Sequence, residues 1–481
     1  MSRAGRGALP VAVSLAVGAA VWLAFAPARF LNYDTAYSLL WGADLADGRS
    51  PDLGVAFAPT PKPLATLLGV LLSVPGLGDV PRGGFQETAW EVLAFLALGV
   101  LAWLVFALGR QWFGTAAGVV AAVVVLTREP VLSYGVRAYV DIPYVCLLLG
   151  ALLVESRRRA AGTPVLVLVG LAGLLRPEAW LFAGAYLVWL WWGGSLRPGH
   201  VVLAAAAPAL WLVHDAALTG DALHSFTGTR EGAEELDRVT GIANIPETLP
   251  RRLGEIVREP VLVGAAGGGA LALWRLRDRA WLGFAAGVLA VAAFCVLAAA
   301  GLPLLTRYLL LPATLLAIFC GAGVTGWALL PRDDPGRAPW IAVAVVTVLL
   351  GLVLAPQQAR RLDRLQAAMA TQTAILEELR SYFPVPTADG CPYALPNRRG
   401  VPQVALWSGI APADVLPFGD PRSDDATAAF APTSRRVAEQ FVLDKRDRTA
   451  TDITPRRGRP DERGRFWNVW LVEDAHPCAA P

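Results

Sequence analysis

Lysine is almost missing from this chain: Lys62 and Lys445 are the only two among 42 Lys+Arg residues, so arginine is the default cation. Charge of any sign is scarce too. Charged residues make up 17% of the 481 residues and hydrophobic ones 55%, with a mean hydropathy of +0.48, which excludes an ordinary soluble enzyme. Histidine occurs four times and cysteine five times, and no CxxC or HExxH spacing offers a structural zinc site or a metalloprotease centre. The arginines form no aromatic-interleaved patch, so no nucleic-acid partner is expected, and the net charge of +3 selects no other. No convincing internal repeat is present.

What the chain does have is long apolar windows. About eleven spans are expected of an α-helical polytopic membrane protein. They fall near 8–27, 88–109, 112–128, 140–155, 163–176, 178–193, 200–218, 260–274, 280–300, 307–330 and 339–355. Arg3, Arg6, Arg110, Arg157 to Arg159, Arg197, Arg275 to Arg279, Arg332 and Arg337 all fall on one side, which marks the cytoplasm. The N-terminus is then cytoplasmic, the first span a retained anchor rather than a cleaved signal, and the protein a multi-pass component of the plasma membrane. Residues 1–355 form the transmembrane domain, with external loops 28–87 and 219–259, and 356–481 an extracytoplasmic soluble domain.

In that tail, turn residues and β-like runs such as VPQVALW and FWNVWLVE point to a small α/β domain. Leu362, Leu365, Met369, Ile375, Leu376 and Leu379 recur at near-helical spacing, so Gln358 to Tyr382 is expected to lead into it as a helix. Asp444 to Arg465 reads as a polar loop. Cys146, Cys295 and Cys320 lie in apolar spans, whereas Cys391 and Cys478 bracket the tail; a disulfide between these two fits an oxidising exterior, and two unrelated thiols are the alternative.

The chemistry concentrates in the first external loop, NYDTAYSLLWGADLADGRSPDLGVAFAPTPKPL. Asp34 stands where the first span leaves the bilayer, with Tyr37 one turn further on a surface helix. A carboxylate there can take the acceptor's proton during glycosyl transfer, and a cation such as Lys62, held between Pro61 and Pro63, can stabilise charge on a lipid-linked phosphate leaving group. A lysine snorkelling to lipid headgroups is the plainer reading of Lys62. Arg137 and Asp141, four residues apart before an apolar run, suit either a substrate pocket or a helix-end ion pair. Arg176 and Glu178 in LLRPEAWL suit a supporting role at a pocket or a pair that pins a hairpin. His224 suits a proton relay or a plain surface position. Arg307 and Tyr308 suit phosphate binding or ordinary interfacial anchoring.

Taken in order, NYDTAY, TPKPL, LTREPVLSYGVRAYVDIPYV, LLRPEAWL, TGDALHSFTGTR and LTRYLLLP resemble motifs of the GT-C superfamily of glycosyltransferases, in the group of protein O-mannosyltransferases and lipid A aminoarabinose transferases. The resemblance covers roughly residues 10–355. It implies a GT-C-like fold and, on the external face, transfer of a sugar from a polyprenyl-phosphate donor to a lipid, glycan or protein acceptor of the cell envelope, with inversion. Asp34 is then the catalytic base, Lys62 and Arg307 the phosphate ligands, and Tyr37, Arg137, Asp141, Arg176, Glu178, His224 and Tyr308 the substrate pocket. Where many members have Asp-Glu, this chain has Asp34-Thr35, and Pro61 precedes the lysine where an acid often stands. No cofactor and no essential divalent metal are therefore expected. A transporter or flippase of a lipid-linked substrate would use similar cations and carboxylates, but the ionisable residues here gather on one face. A non-enzymatic scaffold would leave the Asp34 loop without a task.

Overall fold

The computed structural model describes residues 3–55, 57–73, 84–383, 392–441 and 459–471. It divides into two compact units that do not follow chain order. The first contains Met1–Phe25, Val92–His214 and Arg238–Leu365; the second contains Ala26–Glu91, Asp215–Asp237 and Gln366–Pro481.

The first unit is helical throughout, and each expected span coincides with a helix. Among the described residues, six helices are long and apolar enough to cross a membrane, and a seventh crossing is available if Thr115–Leu126 and Glu129–Val136, bent by 66°, count as one span. The protein is a multi-pass membrane protein. The remaining expected spans fall on shorter helices such as Thr163–Gly173 and Ala179–Trp192, because the apolar windows also took in hairpin residues. Without a hydrophobic drive between helices in lipid, close packing must hold the bundle, and small residues allow it. Helix Leu310–Thr325 sits at the centre of this packing: a Cβ on Gly268 would lie 2.4 Å from the backbone of Gly323, and one on Gly321 would lie 2.3 Å from the carbonyl of Ala117.

The second unit is built on two helices of the first loop, Tyr33–Ala46 and Pro63–Leu72. Its C-terminal part carries a five-stranded sheet in the order β2-β1-β3-β5-β4. The strands are β1 (Tyr393–Leu395), β2 (Val415–Pro417), β3 (Ala428–Pro432), β4 (Glu462–Arg463) and β5 (Trp467–Leu471). β1 lies parallel to β2 and β3, while β5 lies antiparallel to β3 and β4. The long helix Arg337–Ser381 runs unbroken through the expected amphipathic stretch, with Met369, Ile375, Leu376 and Leu379 buried. Its end is tied to the sheet: Glu378 accepts from the backbone N–H of Phe466 (2.8 Å) and of Trp467 (3.0 Å), and the Trp467 indole donates to Ile375 O (2.8 Å).

One β-like run folds otherwise. VPQVALW forms the helix Val401–Ser408, since Pro402 in its first turn has no N–H to lose and Gly409 closes it in the left-handed conformation at φ 75°. This helix packs on Tyr33–Ala46, and the Gln403 amide donates to Leu31 O (3.3 Å). Cys391, Cys478 and most of Asp444 to Arg465 lie outside the described residues.

Candidate active site

Asn32 starts the site. It caps the helix Tyr33–Ala46, accepting from the N–H groups of Asp34 (2.9 Å) and Thr35 (3.2 Å), and so fixes Asp34 in the first turn, where the helix dipole favours a carboxylate. Lys62 is the N-terminal boundary residue of Pro63–Leu72, and Pro63 presets the backbone angle of that helix's first residue. The two helices touch through glycines: a Cβ on Gly69 would lie 2.5 Å from Ser38 O, and one on Gly42 2.4 Å from the Gly69 carbonyl carbon. That close approach brings their N-terminal ends together, with Lys62 Nζ 3.6 Å from Asp34 Oδ2 and 3.4 Å from Thr60 O.

Gly69→Leu is accordingly expected to force the helices apart. It should cost about 1–3 kcal/mol of stability through overpacking, read as a lowered midpoint of thermal unfolding. Gly170→Ala, where a Cβ meets open space, should leave the midpoint unchanged or raise it slightly.

Behind Asp34 the helix carries an aromatic ladder. Tyr33 and Tyr37 meet edge-on at 5.0 Å, Tyr37 and Trp41 at 5.1 Å, and the Trp41 indole donates to Asp52 O (3.0 Å). Tyr37 is fully buried rather than on a surface helix, so it supports the helix from within. Burial pushes the Tyr33 phenol up to about 12 and raises Tyr37 well above the ordinary tyrosine value, so both remain protonated. Tyr33 donates to Phe57 O (3.1 Å); Phe57 adopts a left-handed φ of 63°, and the Arg398 guanidinium lies 4.0 Å from its ring centroid. His224 is half-buried at the start of helix His224–Glu235. Asp215, which sequence reasoning did not single out, anchors that helix by accepting from Ser225 N and Ser225 Oγ, each at 2.9 Å. The helix reaches the lysine loop through Thr229 and Thr60, whose hydroxyls are 2.7 Å apart.

A second cluster lies within the first unit. Asp141 opens helix Asp141–Arg157 and is 1% exposed. Its Oδ1 accepts from Arg176 Nη1, and Arg176 also donates to Glu178 (2.9 Å from Nε, 2.7 Å from Nη2). The partner of Asp141 is thus Arg176 from the next hairpin, while Arg137 bonds its own helix at Ser133 O (3.1 Å) and Ser133 Oγ (2.6 Å). The Arg176 guanidinium lies 4.2 Å from the Tyr308 ring centroid. Arg307 lies 5.8 Å from the Tyr139 ring and Arg137 5.3 Å from the same ring. Tyr144, Glu178, Phe182, Phe294, Tyr308 and Leu311 border a small pocket beside this cluster. The six candidates of this region are therefore neighbours, and Asp34, Lys62 and Tyr37 are neighbours in the second unit. Among the described residues, no three of His, Cys, Asp or Glu gather as a cation would require.

No protein-family model and no curated protein matches the chain. Solved structures do. ArnT from Cupriavidus metallidurans bound to undecaprenyl phosphate superposes with a TM-score of 0.58 at 16% identity, over 100% of each chain. Its apo state gives 0.56 at 16% identity, over 99% of this chain and 100% of that one. Archaeal oligosaccharyltransferase AglB from Archaeoglobus fulgidus, in complex with an inhibitory peptide and a dolichol-phosphate, gives 0.49 at 11%, over 89% and 70%. The chain has the GT-C fold, the one it shares end to end with ArnT.

Proposed function

We propose that this protein transfers a sugar from a polyprenyl-phosphate donor to a cell-envelope acceptor on the external membrane face. The observation that carries the reading is the meeting of Asp34 with Lys62 at 3.6 Å, at the adjoining N-terminal ends of two helices. The fold adds support, because ArnT holds undecaprenyl phosphate.

The chemistry follows from the charges. Asp34 takes the proton from the acceptor hydroxyl as the anomeric carbon is attacked, while charge passes to the phosphate oxygens of the leaving lipid. Lys62 meets that charge with a compact ammonium, and the N-terminal end of Pro63–Leu72 adds the positive end of a helix dipole. A separation of 3.6 Å exceeds a hydrogen bond, so the ammonium can turn to phosphate without first breaking a tight pair with Asp34. Arg307, with Tyr308 beside it, is assigned to phosphate, and Asp141, Arg176, Glu178 and Arg137 to the sugar or acceptor pocket. Attack from the side opposite the lipid phosphate gives inversion.

Lys62→Ala tests the phosphate role. A charged hydrogen bond of about 1.5–3 kcal/mol corresponds to a loss of roughly 10- to 100-fold in affinity for a polyprenyl phosphate. Titration of the purified full chain with undecaprenyl phosphate reads it, and unchanged affinity would remove Lys62 from the site.

A further inference from the structure

A third basic cluster lies outside both groups of candidate residues. Arg128 stands at the 66° bend between Thr115–Leu126 and Glu129–Val136. Arg258 stands at a break inside Ile245–Arg275, held at φ 67°, ψ 168°, a region that side-chain-bearing residues rarely occupy. Arg361 lies on Arg337–Ser381, six residues beyond the last apolar residue of its span. All three belong to the first unit.

The bonding of this cluster is lopsided. Arg128 spends its donors on neutral acceptors, Val124 O (3.2 Å), Val257 O (3.2 Å) and Thr127 Oγ1 (3.0 Å), closing one helix end and the broken turn of another. Glu129 takes Arg258 at 3.2 Å and Arg361 at 3.8 Å, the second too long for a hydrogen bond. Among the described residues, it is the only carboxylate within ion-pair distance of either arginine; Glu259 is exposed and pairs with none of the three. Two of the three guanidinium groups therefore share one carboxylate, and Arg128 adds a third positive charge beside them that bonds only to neutral acceptors. Arg258 and Arg361 are about three-quarters buried, at 24% and 23% side-chain exposure, so they are not simply solvated ends of long side chains.

Their level along the bundle identifies the ligand. Leu126 ends one apolar stretch, Pro260 begins another and Ala355 ends a third, so each arginine lies where apolar sequence gives way to polar sequence. At that depth in a bilayer the abundant anion is a lipid phosphate, and planar guanidinium forks match phosphate oxygens. The geometry points to a headgroup site, formed by Arg128, Arg258 and Arg361 around Glu129, that holds the phosphate of an anionic phospholipid. The bound phosphate offsets the excess positive charge and braces the strained break at Arg258. This inference does not depend on the transfer reaction.

The test measures lipid binding to the purified full chain, by native mass spectrometry and by thermal unfolding with added lipid. Phosphatidylglycerol is compared with phosphatidylcholine, and inorganic phosphate is tried as a competitor. The wild type is expected to prefer phosphatidylglycerol about tenfold, equivalent to about 1.4 kcal/mol. R361Q alone should weaken that preference, and R258Q/R361Q should abolish it. R332Q, which removes an exposed arginine elsewhere, should retain it. Arg128 is left intact because it closes two helix ends, and Arg361, on a regular helix, gives a variant that folds even if R258Q does not. An unchanged preference in R361Q, or an equal loss in R332Q, would overturn the site. Displacement of the lipid by millimolar inorganic phosphate would overturn the lipid assignment in favour of a soluble anion.

Discussion

Asp34→Asn is expected to slow sugar transfer by about 10²- to 10⁴-fold, the usual worth of a positioned general base. Asparagine has nearly the same shape, and the Asn32 cap bonds to backbone N–H groups, so the helix start should persist. Donor affinity should not fall with the rate. A carboxylate beside Lys62 repels an incoming phosphate, and neutralising it leaves the ammonium free of its 3.6 Å counter-charge. The expected pattern is therefore a collapse of kcat with donor binding unchanged or tighter, measured by transfer assays and direct titration of the same preparation. Loss of binding together with rate would assign Asp34 a structural or ligand-holding part instead.

The second large effect concerns stability. Arg176→Met should cost about 3–5 kcal/mol, because it strands two buried carboxylates, Asp141 at 1% and Glu178 at 7% exposure, that share this one guanidinium. Methionine keeps much of the volume against the Tyr308 ring, so the loss reports charge rather than packing. Asp141→Asn should cost less, since the pair of Arg176 with Glu178 survives it. Lysine at 176 should fall between, as a point charge cannot serve both acids through a planar fork. Unfolding in detergent at neutral pH reads the series, and an Arg176→Met variant within about 1 kcal/mol of the wild type would contradict the claim that this one guanidinium holds both acids.

Sequence reasoning reached the helices because apolar windows are set by the bilayer and need no tertiary partner. It singled out Asp34 because it follows the first span directly, and Lys62 because lysine is almost missing from the chain. It did not reach what brings them together. The close approach at Gly42 and Gly69 is a contact between two helices, the second of which lies in what read as an external loop without a helix of its own. For Arg137, four residues from Asp141, the sequence left a pocket role and a helix-end ion pair equally open; Asp141 instead bonds Arg176, 35 residues away, whose side chain is buried beside it. VPQVALW has strand-like residues, and the helix is decided by Pro402 and Gly409 at its ends. Asn32 was readable in principle, as an Asn just before a helix is a recognised cap signal. Asp215, Thr229 and Arg398 carried no local signal, since their partners are distant in the chain.

The most direct test of the central claim is the release of undecaprenyl phosphate from a labelled sugar donor by membranes that contain the full chain and its native acceptors. The account predicts release by the wild type, together with appearance of the sugar on an envelope component, and little or none of either with Asp34→Asn at matched protein level. Equal release by wild type and variant would contradict it.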